Sequence, residues 1–225
     1  MAERNNTLVC FAVKEEAADF RRGLDRLLPV DVLVSGIGPR NADQSIRRAL
    51  EYGTPALVLT CGFAGALDPK LKLGDVVFDA DPESRLAEVL RSLGAGPAKF
   101  HGSDRVAATA AAKAALRRTT GADAVEMESS VIRAICRERG IPGATVRVIS
   151  DVAGQDLPLD FNAVMGPDGN ISMAKLAGAL LKSPGKVPRL LELRRDTRLA
   201  ARRLADVLLG LLRSNSASLS LEASR

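Results

Sequence analysis

The chain has 225 residues, 46% of them hydrophobic and 3% aromatic, with no Trp and one Tyr. This length and apolar content suit one globular α/β domain with a sizeable core, and the scarcity of stacking side chains argues against a single-strand nucleic-acid binder. The net charge of +5 is uneven, because much of the excess lies between Lys182 and Arg213 (Lys186, Arg189, Arg194, Arg195, Arg198, Arg202, Arg203), so it characterises one segment.

Cys10, Cys61 and Cys136 are far apart, each beside apolar residues, and are expected as buried free thiols. No metal site is readable and no cofactor is expected. Met1 to Asn6 lacks the apolar core of a signal peptide, and no run approaches the ~18 apolar residues of a membrane-spanning helix. A cytoplasmic location is the expectation.

In chain order, Thr7 to Val13 is a short apolar run and predicts a buried strand. A helix follows from Lys14, since Ala17, Phe20, Leu24 and Leu27 or Leu28 repeat at helical spacing. Val30 to Val34 predicts a second strand, ending in Ser35-Gly36-Ile37-Gly38, with Asn41 as N-cap of a helix through Tyr52. Pro55 to Thr60 predicts a third strand, leading into a glycine turn at Cys61-Gly62-Phe63-Ala64-Gly65, and Asp75 to Phe78 a fourth. Glu83 to Leu93 and Thr109 to Thr119 read as helices, and Ala144 to Ile149 as a central strand. Strands alternating with helices predict a single α/β domain with a mixed, mostly parallel sheet. In such sheets ligands bind beyond the carboxyl ends of the strands.

The candidate functional residues fall at those ends. Glu126-Met127-Glu128 lies near a helix start, where acids also simply complement the helix dipole. Ser150-Asp151 closes the last strand and points toward the usual crevice. The two glycine-rich stretches let backbone N–H groups approach an anion or a sugar, although neither has a Walker or dinucleotide spacing and tight packing explains them equally well. Glu15-Glu16 follows the first strand, either as a solvated helix start or as a carboxylate that activates water. His101, the one histidine, reads as a loop residue.

Taken together, Ala12-Val13-Lys14-Glu15-Glu16, Ser35-Gly36-Ile37-Gly38, Gly62-Phe63-Ala64-Gly65-Ala66-Leu67, Leu73-Gly74-Asp75-Val76-Val77, Ala124-Val125-Glu126-Met127-Glu128 and Val146-Arg147-Val148-Ile149-Ser150-Asp151-Val152-Ala153 resemble the nucleoside phosphorylase/nucleosidase superfamily. Among its members the likeness is to methylthioadenosine/S-adenosylhomocysteine nucleosidases. The resemblance spans roughly residues 7 to 180 and implies a three-layer phosphorylase/hydrolase-like fold. It also implies cleavage of the N-glycosidic bond of a purine nucleoside, a 5′-modified adenosine, by water; phosphorolysis and a non-catalytic nucleoside-binding relative are the alternatives. By the same resemblance Glu128 holds the ribose hydroxyls, Met127 lies under the ribose, and Asp151, positioned by Ser150, supports protonation of purine N7. Glu16 activates the attacking water, with Glu15 exchangeable by a one-residue slip. Gly62, Phe63, Ala64 and Glu126 join the substrate-binding set. The partners implied are a small-molecule nucleoside, phosphate if the reaction is phosphorolytic, and further copies of the chain as a homo-oligomer.

Two departures from the family pattern stand out. The stretch between Val77 and Val125 is short, and its nearest match to the usual base cover, His101-Gly102-Ser103-Asp104-Arg105-Val106, has no aromatic after Asp104. Leu57-Val58-Leu59-Thr60 lacks the arginine that many phosphorylases use for phosphate, which favours water, although Arg40 and Arg47 lie near the first glycine turn. The short middle, Thr109 to Leu116, Thr120-Gly121-Ala122, Glu128-Ser129, Gly166-Pro167-Asp168-Gly169 and Leu181-Lys182-Ser183-Pro184 also resemble the hopanoid-associated phosphorylases, which are thought to act on adenosylhopane. Residues 1–187 are expected to form the domain and 188–213 a basic amphipathic helix. Leu190, Leu193, Thr197, Ala200 or Ala201, Leu204, Leu208 and Leu211 make the apolar stripe of that helix, which would dock on protein or lie peripherally on an anionic membrane. Residues 214–225 are expected to fray.

Overall fold

The computed structural model describes residues 3–81, 85–166 and 172–222. Its centre is an eight-stranded mixed sheet. Strand β1 (Glu3–Phe11) pairs in parallel with β2 (Val30–Val34) on one side and β3 (Thr54–Ala66) on the other. Beyond β3 lie β8 (Gly143–Asp151), parallel to it, then β4 (Val76–Ala80), antiparallel, then the short β5 (Gly96–Pro97). The far end of β3 turns away to pair with β7 (Ala124–Glu126), which pairs in turn with β6 (Phe100–Gly102).

Period-two alternation sorts the strand side chains into two layers. Val9, Phe11, Leu57, Leu59, Cys61, Ala144, Val146 and Val148 join one core cluster, under α1 (Lys14–Gly23), α3 (Leu86–Ser92) and α8 (Val187–Glu222). Leu8, Cys10 and Val58 join the other, under α2 (Pro39–Glu51) and α5 (Ser129–Glu138). The result is the expected single α/β domain of three layers. Helix α4 (Ala110–Thr120) flanks β7, and α6 (Phe161–Val164) and α7 (Met173–Lys182) follow β8. All three cysteines are buried and free, as anticipated.

Four expectations are corrected. Cys61 to Gly65 is not a turn after β3 but its continuation, because the strand gains β8 and then β7 as neighbours and its backbone groups stay paired. The N-cap of α2 is Gly38 with Pro39 as the first helical residue, while Asn41 donates to the Ile37 carbonyl at 2.9 Å. Helix α3 starts at Leu86, and Pro82 to Ser84 lie outside the described residues. Helix α8 continues to Glu222 rather than ending at 213, since Ser214 to Glu222 contains no Gly or Pro to stop it. Pro167, Asp168 and Gly169 also lie outside the described residues.

From Ala200 onward the apolar stripe of α8 is an internal surface, while Leu190, Leu193 and Thr197 are half-buried. Ala200, Ala201, Leu204, Leu208 and Leu211 are buried, and all but Ala201 sit in the same cluster as the sheet. Each buried leucine contributes about 1.5–3 kcal/mol, so the face that would enter a bilayer is occupied by the domain itself from Ala200 onward. Arg194, Arg195, Arg198, Arg202 and Arg203 remain exposed. No helix among the described residues is long and apolar enough to cross a membrane.

Candidate active site

The carboxyl end of the sheet opens into a cavity of about 240 Å³. Glu16, Phe63, Ala64, Glu126, Met127, Glu128, Ser150 and Asp151 line it together, from four separate stretches of sequence. Gly62 lies one residue behind the wall.

Glu16 sits in the first turn of α1 and is 5% exposed. Its Oε2 accepts from the backbone N–H of Ala12 at 3.0 Å and Val13 at 3.3 Å, and its Oε1 from that of Phe63 at 2.9 Å. Burial pushes its carboxyl above the usual range, against the pull of Arg147 and these three N–H groups. Glu15 is exposed and outside the cavity, so the helix face that carries Ala17 and Phe20 inward takes Glu16 with it.

Glu128 stands at the N-cap of α5, where its Oε1 accepts from the Gly38 N–H at 2.8 Å. The first glycine turn thus points a donor at an anion, as its composition suggested, and the anion belongs to the protein. Burial pushes Glu128 up to about 7; the neighbouring carboxylates of Glu126 and Glu16 add to this, while Arg147 and the Gly38 N–H oppose it. Glu126 has a different task. Its Oε2 accepts from the N–H groups of Glu128 and Ser129 at 2.9 and 2.7 Å, satisfying the start of α5.

Arg147, absent from the sequence-derived set, organises these acids. It is 1% exposed, and its Nη2 lies 2.6 Å from Glu126 Oε2 and 3.4 Å from Glu128 Oε2. Burial opposes its charge, but Glu126, Glu128 and Glu16 outweigh that and hold the guanidinium above its ordinary value. Strand parity would have found it: Val146 and Val148 face α8, so Arg147 must face the opposite way.

Gly62 explains the second glycine-rich stretch. A Cβ there would stand 2.6 Å from Arg147 Nη1 and 2.7 Å from Glu16 Oε1, at a φ of +146°. Both groups are fixed by other bonds, Arg147 Nη1 to the Cys61 carbonyl and Glu16 Oε1 to Phe63 N–H. Gly62→Ala is therefore expected to lower stability by about 1–3 kcal/mol and to depress turnover, because it displaces Glu16, which lines the cavity, and Arg147 behind it. Denaturant titration checks the first effect; unchanged stability would contradict this packing.

Asp151 lies at the base of the cavity with 12% of its side chain exposed. Its Oδ1 accepts from Ser150 Oγ at 2.7 Å, and its Oδ2 faces Lys113 Nζ at 2.5 Å. Its cation is thus Lys113 rather than Arg147. Lys113 was also missed; its neighbours in an alanine run gave α4 no apolar face to read. Where this sequence departs from the family pattern by lacking an aromatic after Asp104, Arg105, Val106 and Ala107 line the cavity, and Phe63 is the aromatic side chain among the described lining residues. His101 lies on β6, away from the cavity lining.

Residues 9–81 and 94–182 match the model of the phosphorylase superfamily, and the chain belongs to that superfamily. It is an enzyme of the N-glycosidase class. Three solved structures share its fold at low identity. Futalosine hydrolase of Helicobacter pylori strain 26695 is 18% identical over 94% of this chain and 98% of its own, with a TM-score of 0.67. The 5′-methylthioadenosine/S-adenosylhomocysteine nucleosidase of Campylobacter jejuni is 17% identical over 92% and 97%, with a TM-score of 0.67. The corresponding nucleosidase of Colwellia psychrerythraea, solved with adenine, is 18% identical over 93% and 95%, with a TM-score of 0.69.

Proposed function

We propose that this chain hydrolyses the N-glycosidic bond of a purine nucleoside, a 5′-modified adenosine. The observation that carries the reading is the convergence of Glu16, Glu128 and Asp151 on one cavity. Water adds to C1′ as the C1′–N9 bond breaks. The bond's electron pair passes to the base, Asp151 delivers a proton to N7, and Glu16 takes the proton that water loses. Glu128 holds the ribose hydroxyls, with Met127 beneath the sugar. The raised carboxyl of Glu16 suits a general base, since basicity near the working pH favours proton removal.

Water is favoured over phosphate by the charges in reach. Four carboxylates line the cavity, and Arg105 is the one cation among the described residues of its lining. Arg147 and Lys113 are held by Glu126 and Asp151. Arg47 pairs with Asp43 at 3.0 Å, and neither it nor Arg40 belongs to the lining. An incoming phosphate dianion would meet four acidic side chains and, among the described lining residues, one cation. The adenine in the Colwellia psychrerythraea relative supports a purine base; the futalosine hydrolase among the structural neighbours widens the range of tails to be tried.

The test is release of free base from adenosine, methylthioadenosine, S-adenosylhomocysteine, futalosine and an adenosine with a lipid 5′ chain, each with and without phosphate. Phosphate-independent release of adenine is expected. Release that requires phosphate would replace hydrolysis by phosphorolysis, and no release from any of them would leave a nucleoside-binding protein.

A further inference from the structure

Lys113 is fully buried in α4, yet it carries an ammonium group. Burying such a charge costs several kcal/mol unless close partners compensate. Its three donors have three acceptors: Asp151 Oδ2 at 2.5 Å, the Val152 carbonyl at 2.8 Å and the Gln155 carbonyl at 3.0 Å. The same group therefore clamps the turn after β8 and the carboxyl at the end of that strand. From the other side Ser150 Oγ reaches Oδ1, and Gly65 leaves room for Oδ2, which lies 3.0 Å from where a Cβ would stand. Both oxygens of Asp151 are thus fixed, with Lys113 behind the cavity wall and outside its lining.

We propose that Lys113 is a positioning residue for base departure, acting through Asp151; this rests on the hydrolase reading above. Asp151 enters the step protonated on Oδ1, with Ser150 Oγ turned to the Ala64 carbonyl; as that proton leaves for N7, the carboxyl becomes a carboxylate, and the ammonium at Oδ2 stabilises the developing charge. The interaction strengthens as the C1′–N9 bond breaks, so it acts on the transition state more than on bound substrate. Lys113 keeps its own proton throughout, and only the Asp151–H bond breaks as N7–H forms. A lysine that merely holds the turn would contribute equally to every substrate.

Leaving-group dependence separates these roles. A p-nitrophenyl riboside departs as a stable phenolate with no N7 to protonate. Lys113→Met and Lys113→Gln are expected to lower kcat for the purine nucleoside that wild type cleaves by about 10²-fold, with KM changed less than about threefold. The p-nitrophenyl riboside should lose less than about threefold in both variants. Gln keeps amide donors for the two carbonyls, so it supplies a folded variant without the charge. Because the two residues act as a unit, adding Lys113→Met to Asp151→Asn should cost little beyond Asp151→Asn alone. Equal losses on both substrates, no loss on the nucleoside, or multiplying losses in the double variant would overturn the role. Free adenine binding by calorimetry gives a second readout. If wild type cleaves nothing, the hydrolase reading falls, and undiminished adenine binding by Lys113→Gln would then overturn the positioning role as well; weakened binding would retain it for base recognition.

Discussion

Glu16→Gln is expected to lower kcat for base release by about 10²- to 10⁴-fold, the range over which a positioned general base acts. The substitution keeps shape and volume but removes the group that would accept the water proton. It also places an amide NH₂ where the site presents only donors. Ala12 and Val13 direct their N–H groups at Oε2, and Phe63 directs its own at Oε1. One end of the glutamine must then face a donor with a donor, at a cost of about 1–3 kcal/mol for the bond left unmade. Activity and stability should therefore fall together, but by different routes, and the pH–rate profile separates them. In wild type the acid limb should lie above the ordinary carboxylate range, because burial raises both Glu16 and Glu128, the latter to about 7. The two share Arg147, so the limb belongs to the cluster rather than to either residue. Glu16→Gln should remove part of that limb along with the rate. Glu15→Gln, exposed and outside the cavity, should stay within about twofold of wild type. A Glu15 variant as damaged as the Glu16 variant would show that the base has been misplaced by one residue.

That assignment shows how far the amino-acid pattern reaches. Glu15 and Glu16 are equivalent by composition, but Glu16 lies four residues before Phe20 and so shares its inward face. The bounds of β2 were readable because Val30 to Val34 is a compact apolar run between Pro29 and Ser35. Strand β3 was cut short because glycine-rich chain usually signals a turn. Here Gly62 serves close approach inside a strand, a reason visible only once Glu16 and Arg147, 46 residues before and 85 after, are brought to it. β5 has two residues and β6 and β7 three each, too short for any periodicity; pairing across the chain makes them strands. The acids of the site were legible because they stand at strand and helix ends. Their cations were harder to place: strand parity turns Arg147 away from Val146 and Val148 without naming the acids it meets, and Lys113 lies inside an alanine run, where it looks like a solvated charge until its distant partner is known.

Arg147→Met should lower stability by about 3–5 kcal/mol near neutral pH, the effect of leaving buried carboxylates without their cation. Methionine fills much of the same volume, so the loss would be electrostatic more than steric. Glu126, Glu128 and Glu16 all act on this one guanidinium, and Glu126 is itself committed to the first N–H groups of α5. The sign of the pH dependence follows from protonation. Glu128 already holds its proton more tightly folded, at about 7, than at its ordinary value of 4.5. The stability linked to that proton is fully present below about 4.5 and is lost as the pH rises through about 7. Glu16 is raised in the same direction. Removing Arg147 removes a pull that lowers both, so the folded variant should bind protons still more avidly. Its deficit should be smallest in mild acid, where the carboxyls can neutralise, and should grow toward pH 8. Urea titrations of wild type and variant at pH 5.5 and pH 8 measure this directly, with the gap expected to widen by at least about 1 kcal/mol. A deficit that is the same at both values would mean that the arginine serves the fold through packing alone. Adding Glu128→Gln should then discriminate further: with one buried charge removed, the Arg147 variant should regain stability at pH 8 and lose part of its pH dependence.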